Sequence, residues 1–89
     1  MRVGLLEQKL KTTRYFEEQV LRKRPYIERV WCEQALASAV RREIQPDGRV
    51  RHWIEIDTGE ARPRFLRVVT LEDGETVHNA FFDRNFRKE

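Results

Sequence analysis

The side chains best suited to chemistry in this sequence are two histidines, His52 and His78, and two arginines near them in predicted strands, Arg51 and Arg67. Histidine carries protons near neutral pH, and arginine clamps phosphate through two parallel hydrogen bonds. Cleavage of RNA needs groups that accept a proton from the ribose 2′-OH, protonate the leaving 5′-oxygen and offset charge on the phosphate. These residue types therefore favour chemistry on RNA.

Other side chains could bind such a substrate without reacting with it. Trp53 or Phe82 would stack an unpaired base, which is worth about 1–3 kcal/mol, and Arg84 stands just after the last predicted strand. Each candidate also has a purely structural interpretation: Arg51 pairs with Glu43 across a hairpin, or Trp53 belongs to the core. For the remaining candidates, His52 would be a core histidine, His78 would satisfy a hydrogen bond at a strand end, and Arg84 would lie in a solvated tail.

The sequence offers little to other kinds of active site. It has no glycine-rich phosphate loop and no Cys/His cluster with zinc spacing, so neither a cofactor nor a metal ion is expected. Ser38 is the only serine and stands at a predicted helix end, which leaves no serine triad. Cys32, the only cysteine, lies in the apolar half of a predicted helix and is expected to be a small buried residue.

Length and composition limit the chain to one small domain. Its 89 residues, 39% hydrophobic and 37% charged, make a single unit over 1–89 with a thin core. The net charge of +3 permits an anionic partner such as nucleic acid. A single cysteine, no apolar run of about 18 residues and no signal peptide indicate a cytoplasmic protein without a membrane segment.

Helical periodicity occupies the first half of the chain. Thr13 is the expected cap of a first helix that the cations of residues 22–24 end, and Pro25 is expected to start a second helix that ends near Ser38. Residues 1–12 are expected to be flexible or to dock on a partner. If Leu5, Leu6 and Leu10 dock on a second copy of the chain, the protein would form a homodimer.

The second half predicts four antiparallel strands, residues 40–44, 50–57, 65–71 and 76–82. The first two alternate with a period of two, and the third is apolar on both faces, as a central strand should be. The turn residues Pro46-Asp47-Gly48 and Asp73-Gly74 mark two hairpins. The fold class is therefore α+β, with two N-terminal helices followed by a four-stranded antiparallel sheet.

The hairpins predict specific cross-strand pairs. A three-residue first turn pairs Gln45 with Arg49 and sets Arg41 opposite Trp53 and Glu43 opposite Arg51. A two-residue second turn pairs Glu72 with Glu75 and sets Val69 opposite His78 and Arg67 opposite Ala80.

The middle register follows from the hydrophobic pattern, because no tight turn fixes it. The preferred register gives one face for the helices to cover: Val40, Ile44, Val50, Ile54, Ile56, Leu66, Val68, Val77 and Phe81. The open face would then hold Arg41, Arg51, Trp53, Arg67, His78, Phe65 and Phe82. A slip of one residue would instead join His52 to Arg67 and His78.

Two helices before a four-stranded meander with polar residues on the open face resemble the RelE/ParE-like toxins, part of a wider group of small ribonucleases that includes colicin-type nuclease domains. The resemblance covers about residues 13–86 and includes the stretch Leu66 to Phe81. It implies a toxin–antitoxin endoribonuclease that cleaves mRNA without metal. It further implies substrate cations at Arg51 and Arg67, a catalytic residue at His78, another at Arg84 or Phe86, and an antitoxin partner.

The resulting hypothesis is an endoribonuclease with His78, Arg67 and Arg84 as catalytic residues and Arg51, Trp53, Arg41 and His52 as substrate-binding residues. The alternative is a non-catalytic binding module of the same fold that contacts nucleic acid or a protein.

Overall fold

The computed structural model of the protein describes residues 10–87. The chain forms a π-helical turn, Phe16–Val20, which continues into a short helix, α1 (Leu21–Lys23), and then a second helix, α2 (Arg29–Ser38). Four strands follow: β1 (Arg41–Ile44), β2 (Val50–Ile56), β3 (Arg64–Thr70) and β4 (Val77–Phe82). They make one antiparallel sheet in the order β1-β2-β3-β4. The α+β fold class is confirmed, and within residues 10–87 no helix has the length and apolarity needed to cross a membrane.

The helix boundaries follow local chemistry. Thr13 caps the first helical segment as predicted, because its Oγ1 accepts a hydrogen bond from the backbone N–H of Phe16 at 3.1 Å. The second helix begins at Arg29 and not at Pro25, so that prediction is wrong. The N–H of Ile27 donates to the C=O of Arg24 at 3.0 Å, and this turn uses the residues around Pro25.

An ion pair between Glu17 and Arg29 joins the two helical segments. Arg29 donates to both carboxylate oxygens of Glu17, and Thr12 Oγ1 donates to Oε2 at 2.6 Å. The hydrogen bonds from Arg29, and to a smaller extent the one from Thr12, lower the pKa of Glu17 to about 2. The pair therefore stays charged at neutral pH and fixes the π-helical turn against α2.

The core lies between the helices and one face of the sheet. Helix α2 packs on β2 and β3, and the π-helical turn packs on β4. Cys32 is fully buried there, as predicted, and burial raises the pKa of its thiol to about 12. The other buried members of this cluster are Phe16, Val20, Ile27, Ala35, Ile56, Leu66, Val68, Val77 and Ala80.

The first two strand pairings agree with the sequence. Arg41 lies opposite Trp53 and Glu43 opposite Arg51, as the three-residue turn predicts. Trp53 also lies opposite Arg67, which is the preferred register and not the slipped one. Gly48 has φ +94° in this first turn, a conformation that glycine adopts without strain.

The β3–β4 pairing predicted from sequence is wrong. The connection is a four-residue loop, residues 72–75, closed by a hydrogen bond from Leu71 N–H to Thr76 C=O at 2.9 Å. Asp73 stabilises this longer loop, because its carboxylate accepts from the N–H groups of Glu75 and Thr76 and from the Thr76 hydroxyl.

A bulge at His78 then shifts the register of β4. Thr70 lies opposite Val77 and Val69 opposite Asn79, so His78 has no partner in the ladder. As a result Arg67 lies opposite Phe81 and not Ala80. Phe81 and Phe82 exchange their predicted faces: Phe82 contacts Trp31 and Tyr26 on the helical side, and Phe81 faces Arg67 on the open side.

The helices do not cover β1. Ile44 was assigned to the covered face, but 77% of its surface is exposed, and Val40 is also exposed. At the opposite edge, residues 11–13 run beside β4: Val77 N–H donates to Lys11 C=O at 2.8 Å, and Thr13 N–H donates to Val77 C=O at 3.0 Å. This part of the segment 1–12 therefore packs on the sheet of its own chain. Leu5 and Leu6 lie outside the described residues.

Candidate nucleic-acid interface

Trp53 lies on the open face of the sheet but is not free to stack a base. The ring of Phe86 stacks on it with centroids 4.9 Å apart, and only 4% of Trp53 is exposed. Phe65 contacts the same phenylalanine. The segment after β4, residues 83–87, thus folds back and covers the middle of the open face.

Asp83 holds this segment in place. Its Oδ2 accepts a hydrogen bond from Trp53 Nε1 at 3.0 Å, and its Oδ1 accepts one from the N–H of Asn85 at 3.0 Å. Its own N–H donates to Phe65 C=O at 2.8 Å. Asp83 was not among the residues selected from the sequence, because a carboxylate in a basic tail carries no pattern of its own.

Arg67 contacts Asp83 and two aromatic rings of the open face. Its Nε lies 3.5 Å from Oδ2 of Asp83 and makes no hydrogen bond, so the contact is an ion pair only. Its guanidinium lies over the rings of Phe81, at 4.7 Å, and Trp53, at 5.7 Å. Arg67 therefore has a structural environment, with little of its charge left for a substrate.

The other two arginines predicted on the open face are also paired. Arg51 donates from Nε to Gln45 Oε1 at 3.1 Å and lies 3.7 Å from Glu43, the cross-strand pair considered from sequence. Arg41 lies 3.8 Å from the same carboxylate, and its guanidinium lies over Phe86 at 5.0 Å. Both side chains remain partly exposed, so they can still contribute positive potential.

Arg84 lines a cavity of about 520 Å³ at the end of the sheet, where β3 begins and β4 ends. We call it the arginine cavity, because four arginines line it: Arg62, Arg64, Arg84 and Arg87. Its aromatic wall is formed by Phe65, Phe82 and Phe86. Asp83 is the one carboxylate among its lining residues within 10–87, and Trp53 and Arg67 already engage that carboxylate.

The guanidinium groups of this cavity differ in their freedom. Arg64 lies over Phe82 at 4.1 Å and 3.9 Å from Glu60, and Arg87 donates to the carbonyls of Arg84 and Phe86. Arg62 and Arg84 are exposed. A second hollow of about 390 Å³, with Arg41 and Arg67 in its wall, shares Asp83, Phe86 and Arg87 with the arginine cavity. The two concavities therefore adjoin on either side of the segment 83–87.

The β4 bulge places His78 beside the N-terminal segment. Its Nδ1 lies 3.0 Å from Thr13 Oγ1, and its ring stacks on Tyr15 with centroids 4.8 Å apart. Burial, and then the charge of Arg49, lower the pKa of His78. Nδ1 is engaged by Thr13, so Nε2 is the ring nitrogen left to meet a substrate. His78 therefore contacts the N-terminal segment, whereas Arg67 contacts Asp83 and Arg84 follows Asp83 in the chain. The structure does not bring the three predicted catalytic residues together in one contact group.

His52 faces the helical side and is 1% exposed. Its Nε2 bonds Thr70 Oγ1 at 3.0 Å, while its Nδ1 is buried without a hydrogen-bond partner. Burial, and then the charge of Arg42, lower the pKa of His52 to about 4. In this position His52 is a neutral core residue, which is the structural interpretation considered from sequence.

Comparisons with protein-family models, curated proteins and solved structures found no match for the chain. The resemblance to RelE/ParE-like toxins stays a hypothesis. Within residues 10–87, the His, Cys, Asp and Glu side chains form no group of three that could hold a metal ion. The interface must be interpreted from its own geometry.

That geometry brings together residues that the sequence analysis treated separately or left out. Of the predicted residues, Arg41, Trp53 and Arg67 line the second hollow, and Arg84 lines the arginine cavity. Arg62, Arg64 and Arg87 were missed. A signal for them existed: Arg62 and Arg64 lie at the start of the third strand, Arg84 and Arg87 follow the fourth, and antiparallel pairing brings these two ends together.

Proposed function

We propose that the protein is an RNA-binding module that holds single-stranded RNA along the arginine cavity and the adjoining hollow. The observation that carries this proposal is the set of four guanidinium groups around one cavity. Asp83, the carboxylate that lines the cavity within residues 10–87, is already paired with Trp53 and Arg67. Such a site has excess positive charge, and phosphate is the anion that planar guanidinium groups bind in two-point fashion.

The aromatic wall supports a single strand over a duplex. Phe65 is partly exposed in the cavity, so it can present its ring to an unpaired base while arginines contact the backbone. Phe82 also lines the cavity, but Arg64 and Tyr26 already lie against its ring. Trp53, by contrast, is covered by Phe86 and supports the segment 83–87 through this stacking contact. We therefore assign to Phe65, which is partly exposed, the base-stacking role considered for Trp53 and Phe82.

Affinity for a labelled single-stranded RNA, measured by fluorescence anisotropy at several salt concentrations, tests this function. For the double variant Arg62→Ala/Arg84→Ala we expect affinity to fall about tenfold or more at low salt. We also expect the slope of log K against log salt to become shallower by about 1.4, since each phosphate contact to a single strand contributes about 0.7.

A matched control is Arg22→Ala/Lys23→Ala, which removes the same charge from the exposed end of α1, where neither residue lines the cavity. The control is expected to retain most of the affinity and the salt slope. Equal losses in both double variants would show that only net charge matters, and absence of binding by the wild type at low salt would reject the proposal. A DNA strand of the same sequence tests preference for RNA.

RNA cleavage by a toxin-type endoribonuclease is a second candidate, and His78 is the observation in its favour. The imidazole is partly exposed, its pKa is lowered, so it is neutral at pH 7, and Arg49 supplies a nearby positive charge. This arrangement would use His78 as the proton carrier near Arg49, without the convergence of Arg67 and Arg84 that the sequence analysis expected. An antitoxin partner would accompany this function.

Incubating RNA with the wild type and with His78→Ala, without added metal, separates the two candidates. The ribonuclease predicts fragments from the wild type that disappear in the variant, whereas Arg62→Ala/Arg84→Ala would mainly weaken substrate binding. Intact RNA with both proteins, together with salt-dependent binding, would leave the binding module as the function. Growth of a bacterial culture after induction of each protein gives the same comparison in cells.

A further inference from the structure

The two edges of the sheet are treated differently by the chain. The edge of β4 is partly occupied: residues 11–13 pair with Val77, and Arg24 Nη1 donates to the C=O of Ala80 at 3.4 Å. At β1, by contrast, no backbone hydrogen bond within residues 10–87 reaches the outer side of the strand. An uncovered edge is a template for another strand.

The ladder identifies which groups of β1 point outward. Gln45 N–H donates to Arg49 C=O at 2.7 Å, and antiparallel pairing alternates from there, so Glu43 and Arg41 also face β2. The N–H and C=O groups of Arg42 and Ile44 therefore project to the outside. Ile44, 77% exposed on this edge, presents an apolar side chain beside them.

We propose that β1 pairs with β1 of a second copy of this chain about a two-fold axis through Arg42. In this register Arg42 exchanges both hydrogen bonds with Arg42 of the partner subunit. Arg41 lies opposite Glu43 of the partner subunit. Ile44 extends past the start of the partner's β1, because the Val40 N–H of each chain donates to the Trp53 C=O of the same chain at 2.8 Å and does not join the new ladder. Every contact occurs twice, as an isologous interface requires. The two sheets become one of eight strands, with both open faces on the same side.

Charge and burial agree with this register. The pairs of Arg41 with the partner's Glu43 are non-hydrogen-bonded positions, where opposed side chains approach most closely and opposite charges stabilise the pairing. Ile44 and Val40 are both exposed in one copy, so the pairing brings exposed apolar side chains of the two copies to the same edge. This inference is independent of RNA binding.

The pairing of Arg42 with Arg42 of the partner subunit would be unfavourable if the two positive charges met. The side chain of Arg42 instead runs along its own sheet, away from the axis. A Cβ placed on Gly74 would lie 3.3 Å from Arg42 Nη2, so the guanidinium reaches the β3–β4 loop on the far side of β2 and β3. The charge of Arg42 also lowers the pKa of His52 in β2, which agrees with this path. Two copies of Arg42 on the axis therefore direct their charges away from each other.

Arg42→Pro tests the backbone pairing. Proline removes the outward N–H of Arg42 and leaves the bonds to β2, which come from its neighbours. The matched control, Arg42→Ala, loses the same side chain but keeps the N–H. Light scattering over a wide range of concentrations should show the wild type and Arg42→Ala rising from 10.8 kDa towards twice that mass. Arg42→Pro should stay monomeric with an unchanged circular dichroism spectrum.

Charge exchange tests the register even if the proline variant misfolds. Arg41→Glu places two carboxylates, and Glu43→Arg two guanidinium groups, at the paired positions, so each variant alone should be monomeric. An equimolar mixture should restore the dimer, because each chain then meets its opposite charge. A wild type that stays monomeric at every concentration, or a mixture that does not associate, would overturn the proposal. So would a dimer that neither single charge variant weakens.

Discussion

Replacing Asp83 with alanine is expected to lower the free energy of unfolding by about 3 kcal/mol, the cost of breaking a largely buried ion pair. The substitution removes the acceptor of the Trp53 indole N–H and the counter-charge of Arg67, whose Nε is buried. Urea unfolding followed by far-UV circular dichroism measures the loss. Tryptophan emission should shift at the same time, because Phe86 no longer stays fixed on Trp53.

Two further variants define the cause of that loss. Asp83→Asn keeps an oxygen acceptor for Trp53 but no charge for Arg67, and is expected to fall between the wild type and Asp83→Ala. Asp57→Ala removes an exposed aspartate that accepts the N–H of Gly59, and should cost less than about 1 kcal/mol. Similar losses for Asp57→Ala and Asp83→Ala would contradict the central role of Asp83.

Stability is expected to fall as the pH drops from about 6.5 to about 4, with His52 contributing about 3 kcal/mol. The pKa of His52 is lowered to about 4 in the folded protein from 6.5. Between these values the unfolded chain binds a proton that the folded chain does not, so acid favours unfolding. The contribution is complete above about pH 6.5 and is lost as the pH falls to about 4. Chemical denaturation at pH 7, 5.5 and 4 measures it.

His52→Gln is the variant that isolates this effect, because glutamine can hydrogen-bond Thr70 but binds no proton in this range. Its stability should vary much less between pH 7 and pH 4, whatever its absolute value. His78→Gln serves as the control and should retain most of the dependence, since His78 is less buried. Glu17 and Asp73, each with a pKa lowered to about 2, affect stability mainly at lower pH. An unchanged slope in His52→Gln would refute the assignment.

Local signals in the sequence were sufficient for much of the fold. The Pro46-Asp47-Gly48 turn fixes the β1–β2 register, and the alternation of Val50 to Ile56 selects the register that brings Trp53 to Arg67. The second hairpin failed because Asp73-Gly74 is compatible with both a two-residue and a four-residue connection. The Asp73 carboxylate, which bonds three groups in the longer loop, decides between them.

The interface was harder to predict because its decisive contacts are far apart in sequence. A bulge of one residue at His78 moves that histidine to the N-terminal segment and exchanges the faces of Phe81 and Phe82. The tail returns over the sheet, so that Phe86 covers Trp53 and Arg84 joins three other arginines, and no periodicity in the sequence indicates this return. The positive charge and the aromatic rings are visible in the sequence, but their arrangement is not.

The buried thiol of Cys32 allows the rate at which the core opens to be measured. The thiol is enclosed and un-ionised in the folded chain, so an alkylating reagent can reach it only when the helices separate from the sheet. As the chain has one cysteine, each molecule is modified once, at the first opening in which the reagent reaches the thiol. When the reagent is concentrated enough for labelling to outpace reclosing, the labelling rate in native buffer therefore reports how often this core opens, without denaturant and without an introduced cysteine.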